Sequence, residues 1–594
     1  MRTRRIIVVL AIIAISITSL FAGSANRQKI YRVDSSEYED LKYLYIMTGH
    51  SLPSTTGPWS EDELSRMLAK IDRSSLSGSA ADLYDSLDSV LNQERKELCE
   101  GFAIRWGLDV DLENYIHSNT DDKQFIGRSN WNYSFLEHKP FLNIKLETWP
   151  ISSFYGYSEL SLQNYVKTKD GSLPEFGETV FNTNFPAYQN PPVFTLNVIN
   201  VNIPYRAFAA AGGNHWSLQI GRDRMSWGPG KTGNFVVGDN IEYHNMARFT
   251  TYFDSFKYTF VSSFFPHPSL YASTDPASWG FGEGGQEQLM NGINMFMAHR
   301  LEFRFFKDKM SFVLTEGVMY QSKDNFLDLQ VFNPCMLFHN YYIKSNANSI
   351  LSLELDYTPF RNLNIYAQIV IDEYALPGEP VPGKNDGASP DGKGFMAGVN
   401  AAFPLSKGVF YGSVEGAYTD PYLYLRDKGS GAQAAGDYGI SWVVAVRNYC
   451  NDPAGGNVYD ESFLGYKYGG DAIVANLNAG YRSLGRWHAE GNLFYMAHGT
   501  FDKWTCWKTL SAGDKTNTPT TSHPNANNKD PNANSTRNAV SHTFVCGVNT
   551  GFEIIKGLES FIQADLITIW NPGNIKADKP IADFQFTVGI GYSL

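Results

Sequence analysis

One short stretch of this 594-residue chain carries most of the residues that could bind a ligand. It reads Gly-Arg-Asp-Arg-Met-Ser-Trp-Gly-Pro-Gly-Lys-Thr-Gly-Asn over residues 221–234. A guanidinium such as that of Arg222 or Arg224 can grip a carboxylate at two points, and the ring of Trp227 offers a flat face to C–H surfaces. The Gly-Lys-Thr within the stretch is not a phosphate-binding loop, because Met225 stands where that motif requires its first glycine.

Alternating strands are the elements that must position this stretch. The clearest of them ends the chain, where every second residue from Asp583 to Ser593 forms a polar face. The opposite face is apolar and consists of Phe584, Phe586, Val588, Ile590, Tyr592 and Leu594. A strand of roughly 9–11 residues with these two faces can span a membrane, and a chain that ends on one is typical of a closing outer-membrane barrel. The alternative is the edge strand of a soluble sandwich.

The N-terminus indicates export from the cytoplasm. Arg2, Arg4 and Arg5 precede an apolar run at residues 6–21, and small residues follow at 22–25. This is the order of regions in a secretory signal peptide, which we predict over residues 1–25. No other stretch of the sequence approaches the roughly 18 consecutive apolar residues that a transmembrane helix needs. If the chain spans a membrane, it therefore does so as a barrel.

Period-two alternation recurs from about residue 130 to the end of the chain, for example at residues 142–147, 351–357 and 363–372. About sixteen candidate strands can be placed, and the length accommodates roughly 16–18. We predict an all-β transmembrane outer-membrane β-barrel of about 16–18 antiparallel strands with a small N-terminal α-helical periplasmic module. An aromatic content of 14% fits this class, whereas a net charge of −12 argues against a nucleic-acid partner.

The segment from Ser35 to Cys99 has helical spacing instead. Ser60 and Glu63 form a capping-box pattern, and the apolar residues predict about three helices. We divide the chain into a signal peptide at 1–25, a periplasmic helical module at 26–125 and an outer-membrane barrel at 126–594. Two polar segments, residues 376–393 and 511–538, are predicted to be extracellular loops.

Several ionisable residues fall on the inward face of the predicted strands. We expect most of them to form a solvated, mutually paired interior, and their mixed signs favour a closed or plugged lumen over a selective pore. They are Lys145, Glu147, Glu302, Arg304, Glu354, Asp356, Asp372 and Glu415.

The five cysteines are widely spaced and suggest neither a metal site nor a dense disulfide framework. Cys506 and Cys546 flank one polar insertion and would be the pair if an intramolecular disulfide forms; unpaired thiols are the alternative. The sequence has no motif for a catalytic nucleophile or a metallohydrolase, so we predict no catalytic residues, no metal and no cofactor.

The stretch at residues 221–234, followed by Asp239 and Asn240, resembles the signature of the Wzi-type capsule-assembly outer-membrane proteins. Further matches are His299-Arg300-Leu301-Glu302, Asn333-Pro334 and Ile371-Asp372-Glu373. The resemblance implies a monomeric barrel of about eighteen strands with a periplasmic helical bundle. It also implies a lectin function that holds capsular polysaccharide at the cell surface.

From this resemblance we expect surface or capsular polysaccharide and outer-membrane lipids as partners. The candidate ligand-binding residues are Arg222, Arg224, Trp227, Lys231, Asn234 and Asp239. A second interpretation of the same stretch is an interfacial turn in which Trp227 anchors the aromatic girdle. The alternatives for the function are a passive diffusion porin and a surface adhesin that acts through its long loops.

Overall fold

The structure is a computed structural model, and it describes a large part of the chain. The described residues are 28–93, 97–99, 102–119, 125, 139–151, 153–163, 187–190, 200–265, 293–322, 326–337, 347–374, 391–425, 440–450, 456–501, 503, 519–525 and 537–594. The predicted signal peptide and most of the two predicted polar loops lie outside these residues.

Eighteen long strands form one closed barrel. Each strand pairs antiparallel with the next along the chain, and the last pairs with the first, with Ser593 opposite Asp109. The strands are β1 Phe102–His117, β2 Leu142–Trp149, β3 Phe154–Gln163, β4 Asn200–Gly213, β5 Trp216–Asp223, β6 His244–Tyr252, β7 Phe256–Phe265, β8 Ile293–Phe305, β9 Met310–Ser322, β10 Ala347–Phe360, β11 Leu363–Glu373, β12 Gly392–Leu405, β13 Gly408–Thr419, β14 Ala472–Ser483, β15 Trp487–His498, β16 Ser541–Ile555, β17 Leu558–Trp570 and β18 Ile581–Ser593. The predicted fold class is confirmed.

Shorter elements complete the described structure. Three helices lie at the N-terminus: α1 Ser36–Thr48, α2 Glu61–Ala69 and α3 Ser79–Leu91. The short strands and 3-10 turns are Ile30–Tyr31, Thr56–Gly57, Trp59–Ser60, Arg73–Ser75, Glu97–Cys99, Ala187–Gln189, Ser226–Trp227, Val443–Cys450, Gly456–Phe463 and Pro572–Asn574. In the described part of the chain, no helix combines the length and the apolar character needed to cross a membrane.

Strand β18 has the two faces that its sequence predicts. Outward residues such as Phe584 and Ile590 are more than two-fifths exposed, whereas Asp583 and Gln585 point inward and are buried. The outward face is therefore suited to lipid and the inward face to a polar interior.

The two ends of the barrel differ in the length of their connections. Links such as residues 361–362 and 556–557 are tight turns, whereas residues 224–243 and 420–471 connect strands at the opposite end. We refer to these as the short-turn end and the long-loop end. In barrels of this type the short turns face the periplasm.

The helical module lies in the barrel mouth at the short-turn end. Ser60 begins α2 by accepting a hydrogen bond from the Glu63 amide, as the capping pattern predicts. The helices share an apolar core with Ala402, Val409 and Tyr411, which point inward from β12 and β13. The module is therefore continuous with the interior of the barrel.

The predicted boundary between module and barrel was wrong. Strand β1 begins at Phe102, so the barrel starts well before residue 126. Its outward face was visible in the sequence, since Ile104 and Trp106 alternate with inward residues and are exposed. The polar segment after His117 obscured the strand, because it separates β1 from the other alternating stretches.

The proposed cysteine pair is also corrected. Cys546 is a free, exposed thiol on β16. It lies opposite the outward-facing Leu493 and Leu566 in the sheet register. The other cysteine of the predicted pair, Cys506, lies outside the described residues.

Candidate functional site

Residues 51–60, in the connection between α1 and α2, enter the barrel from the short-turn end; we call them the plug segment. Its backbone is held by charged residues of the barrel wall. Asp356 accepts a hydrogen bond from the Leu52 amide at 2.8 Å, and Arg304 donates to the Leu52 carbonyl at 2.7 Å. Arg248 donates to the Pro58 carbonyl at 2.6 Å. A segment without helix or long strand can be buried here because the wall supplies its hydrogen-bond partners.

The connection between β5 and β6, residues 224–243, folds inward from the wall; we call it the lumenal loop. Glu415 of β13 accepts hydrogen bonds from the backbone amides of Lys231 and Thr232 at 2.7 and 2.8 Å. The Phe235 amide donates to Gln368 of β11 at 3.1 Å. The wall therefore holds this loop in the same way as it holds the plug segment.

The glycines of the loop allow it to pass close to the wall. At Gly228 the backbone has φ of +139°, and a Cβ there would lie 2.2 Å from the Asn234 side-chain oxygen and 2.8 Å from Gln368. Asn234 uses that same oxygen to accept a hydrogen bond from the Gly230 amide. The Gly-Pro-Gly-Lys-Thr-Gly-Asn pattern therefore allows the loop to pack closely against itself and against the barrel wall.

Trp227 lies where the two segments meet. Ser226–Trp227 pairs antiparallel with Thr56–Gly57, and the Trp227 indole donates to the Gly57 carbonyl at 3.1 Å. The Trp227 side chain is fully buried and belongs to an apolar core inside the lumen. Across the described residues, the plug segment and the lumenal loop fill the lumen from opposite ends.

Arg300 of β8 is the central charge of this junction. Its guanidinium is fully buried and grips Glu354 of β10 with two bonds of 2.6 and 2.8 Å. It also donates to Thr55 at 2.7 Å and lies over the Trp227 ring. Two parallel charge-assisted bonds fix both the position and the plane of the guanidinium.

The inward carboxylates are not the solvated interior that the sequence suggested. Glu302, Glu354, Asp356, Asp372 and Glu415 are each at most 6% exposed. The plug segment and the loops cover them and use them as hydrogen-bond acceptors; Asp372, for example, accepts from the Tyr424 amide at 3.0 Å. Alternation along single strands shows which side chains face the lumen, but not what fills it.

Beside the filled part, the lumen holds a polar cavity of about 760 Å³, which is within the range of ligand pockets. The plug segment, α1 and the lumenal loop line one side, and the wall strands β1, β2, β12, β15 and β16 line the other. Six basic and six acidic side chains face it: Arg32, Lys42, Lys139, Arg224, Lys231 and Lys467, and Asp34, Glu39, Asp109, Asp111, Asp239 and Glu490.

Four of the six predicted site residues line this cavity: Arg224, Lys231, Asn234 and Asp239. Lys231 is exposed to it, and no described side chain forms a salt bridge with its ammonium group. The negative charges that act most strongly on Lys231 are Glu39, Glu490 and Glu415. Lys231 is therefore an accessible cation in the cavity, with three carboxylates near it.

The other two predicted residues lie elsewhere. Arg222 is on the outward row of β5, where it stacks 4.1 Å from the Tyr243 ring and bonds to Asn245. Arg224 comes after the chain has left the wall and points into the lumen, so the two arginines do not share a site. Trp227 is neither in the aromatic girdle nor open to a ligand, because the lumenal loop buries it in the barrel centre.

The cavity also includes residues that the sequence did not single out. Arg32 binds Asp34 through two bonds of 2.8 and 2.7 Å, and Asp34 also lies 3.8 Å from Arg224. Burial by itself raises the pKa of Asp34, but the Arg32 and Arg224 guanidinium groups lower it to about 2. No sequence pattern links Arg32 with Arg224, because only the docking of the module brings them together.

A second cavity of about 280 Å³ extends toward the short-turn end. It shares Asp111, Lys139, His488 and Ser593 with the first, and Gly485 and Gly557 of the short turns line its far side. The polar space beside the plug thus continues toward the periplasmic mouth.

Comparison with known proteins supports the fold. No protein-family model matches the sequence, and no curated protein sequence matches it either. Among solved structures, the chain is similar to Wzi, described as a carbohydrate-binding β-barrel of the outer membrane that is involved in group 1 capsule assembly in Escherichia coli. The TM-score is 0.55 at 11% identity, over 95% of this chain and 98% of that chain.

The outer membrane protein OpdK of Pseudomonas aeruginosa, solved with vanillate, matches with a TM-score of 0.37 at 9% identity, over 82% of this chain and 98% of that chain. A TM-score this low supports no further argument about this chain. The similarity to Wzi, at 11% identity, shows the fold alone. The chain is an eighteen-stranded β-barrel of the outer membrane.

Proposed function

Since the protein is a closed outer-membrane barrel with a filled lumen, we propose that it binds and retains surface or capsular polysaccharide. The observation that carries this proposal is the meeting of the plug segment and the lumenal loop at Trp227 and Gly57. A barrel of this strand number otherwise encloses an aqueous channel. Filling that channel favours binding over passive diffusion.

The cavity beside the plug supports the same proposal. It combines the Arg224 guanidinium and the Lys231 ammonium in one polar space. Planar donors and cations of this kind suit sugar hydroxyls and the carboxylates of acidic sugars. We therefore place a short acidic stretch of the polysaccharide in this cavity. The similarity in fold to Wzi is consistent with such a ligand.

Titration with the natural surface material tests the proposal. We expect the refolded barrel to bind polysaccharide extracted from the cells that make it in a saturable manner, and not to bind dextran, a neutral glucan. Isothermal calorimetry or fluorescence measures the affinity. If a barrel that is shown to be folded does not bind the polysaccharide saturably, polysaccharide retention is rejected. The porin and adhesin alternatives are then favoured.

Substitution of Lys231 tests the position of the site. Lys231→Gln is expected to weaken binding of an acidic polysaccharide by about tenfold or more, because a charge-assisted hydrogen bond is lost. The same polysaccharide with its carboxyl groups chemically reduced should lose this difference. Arg222→Gln removes an equal charge from the outer wall and serves as the matched control. If Arg222→Gln weakens binding and Lys231→Gln does not, the site lies outside the cavity.

A further inference from the structure

The outer wall at β7, β8 and β9 differs from the rest of the barrel. Elsewhere, outward residues are open to the membrane; Leu477 of β14 and Leu566 of β17 are 45% and 49% exposed. On β8, Met295, Met297 and His299 alternate with the inward Ala298 and Arg300, yet all three are fully buried. Another part of the chain must therefore cover this face from outside.

The covering segment is residues 326–337, from the connection between β9 and β10; we call it the strap. Its Val331 is fully buried in a cluster with outward residues of the three strands, namely Phe260, Met295, Met297, Val318 and Tyr320. Tyr320 donates a hydrogen bond to the Phe326 carbonyl at 2.8 Å, and Tyr258 donates to the Pro334 carbonyl. The strap thus lies against the lipid-facing side of the wall.

The strand positions give the height of the strap. Tyr258 is the third residue of β7 from its short turn, and His299 is the seventh residue of β8 counted from Phe305. A membrane-spanning strand takes roughly 9–11 residues. The bond between Tyr258 and the Pro334 carbonyl therefore shows that the strap extends along the outside of the barrel into the membrane span.

The composition of the strap fits that position. Its sequence, Phe-Leu-Asp-Leu-Gln-Val-Phe-Asn-Pro-Cys-Met-Leu, contains one charged residue, Asp328. Phe326 and Leu329 are 65% and 72% exposed on its outer side. The Asp328 carbonyl accepts hydrogen bonds from the Val331 and Phe332 amides, so part of the backbone is satisfied within the strap. Non-helical backbone at membrane depth is tolerated where it is buried against protein, as the inner side of the strap is against β7, β8 and β9.

A polar pair lies on the lipid-facing row beside this cluster. His299 and Glu316 lie directly opposite each other on β8 and β9, and both are buried. Ionisable side chains on this row are unfavourable against acyl chains. The Tyr258 hydroxyl links this pair to the strap, because it bonds both to the His299 ring and to the Pro334 carbonyl.

We propose that the strap is a lipid-contacting segment, whose partner is the acyl-chain layer of the outer membrane around Phe326 and Leu329. Its outer side continues the lipid-facing surface of the barrel, which argues for lipid as the occupant. The apolar strap takes the place of lipid over the outward residues that surround Val331, and its own exposed side chains restore contact with the bilayer.

Depth-dependent quenching tests this proposal. Single-cysteine variants of the full-length chain carry a polarity-sensitive fluorophore at Leu329→Cys, or at the native Cys335, which is exposed on the strap. They are reconstituted in phospholipid vesicles that contain nitroxide-labelled acyl chains. Leu477→Cys on the lipid-facing wall is the positive control, and His523→Cys in an exposed long-loop segment is the aqueous control.

We expect both strap positions to be quenched by nitroxide acyl chains as strongly as position 477, and to be protected from aqueous iodide. Quenching by iodide with the pattern of position 523 would overturn the proposal. Protection from both quenchers would overturn it as well, because it would mean that a second copy or another protein covers the strap. Heat-modifiable migration on gels shows that each variant is folded, and Cys335 needs no substitution in the strap.

Discussion

Removal of residues 35–93 is expected to turn the closed barrel into a conducting one. The deletion takes away the helical module and the plug segment, so Arg248, Lys257 and Arg300 lose their partners in the lumen and become hydrated. An eighteen-stranded barrel without a plug encloses an aqueous channel, so we expect the single-channel conductance to rise by about tenfold over that of the intact protein. Planar-bilayer recordings measure it.

The lumenal loop remains in that variant, because Glu415 and Gln368 still bind it. A second variant therefore also replaces residues 228–239 with a short glycine-serine linker, and it should reach a stable open level. Deletion of residues 526–536, within a polar insertion, is the control and should leave the conductance unchanged. Folded deletion variants that conduct no better than the intact barrel would show that the two segments do not close the lumen.

Arg300→Met is expected to destabilise docking of the plug segment by about 3–5 kcal/mol, because it leaves a buried carboxylate without its cation. Glu354 is 4% exposed and accepts two hydrogen bonds from the Arg300 guanidinium, at 2.6 and 2.8 Å. The variant also removes the bond to Thr55. Limited proteolysis of the module follows the population of the undocked state, so cleavage should become about a hundredfold faster or more.

Two further variants show whether charge is the cause. Arg300→Met combined with Glu354→Gln should recover a large part of the loss, because no unpaired charge remains. Lys393→Met breaks the exposed pair with Asp391 and should change cleavage little, since such pairs contribute about 0–1 kcal/mol. A cleavage rate of Arg300→Met equal to that of the unaltered protein would contradict the assignment of Arg300 as the charge that holds the plug.

Local features of the fold were predictable because they depend on residues close in sequence. The alternation at residues 584–594 identified a lipid-facing and a lumen-facing row, and the Ser60–Glu63 pattern identified the start of α2. Strand β1 was missed although its alternation is as regular, because a long polar segment isolates it. The helix count and the strand range were correct for the same local reason.

The candidate site was predictable only in part. The stretch at residues 221–234 stands out in the sequence, and Lys231 and Asn234 from it line the cavity. The strand period gave Arg222 its outward position, but it could not show that the chain leaves the wall before Arg224. It could not place Trp227 either, because burial of that ring depends on Gly57, which is 170 residues away in the sequence.

The sequence by itself determined that this chain forms a barrel, since each strand must present one face to lipid and the other to the interior. Only the tertiary structure decided what the interior contains. Arg300, Glu354 and Thr55 lie far apart along the chain and meet only when the module docks in the mouth. The same is true of Val331 and Met297 on the outside. Period-two alternation specifies the face of a side chain, whereas the partner on that face depends on long-range packing.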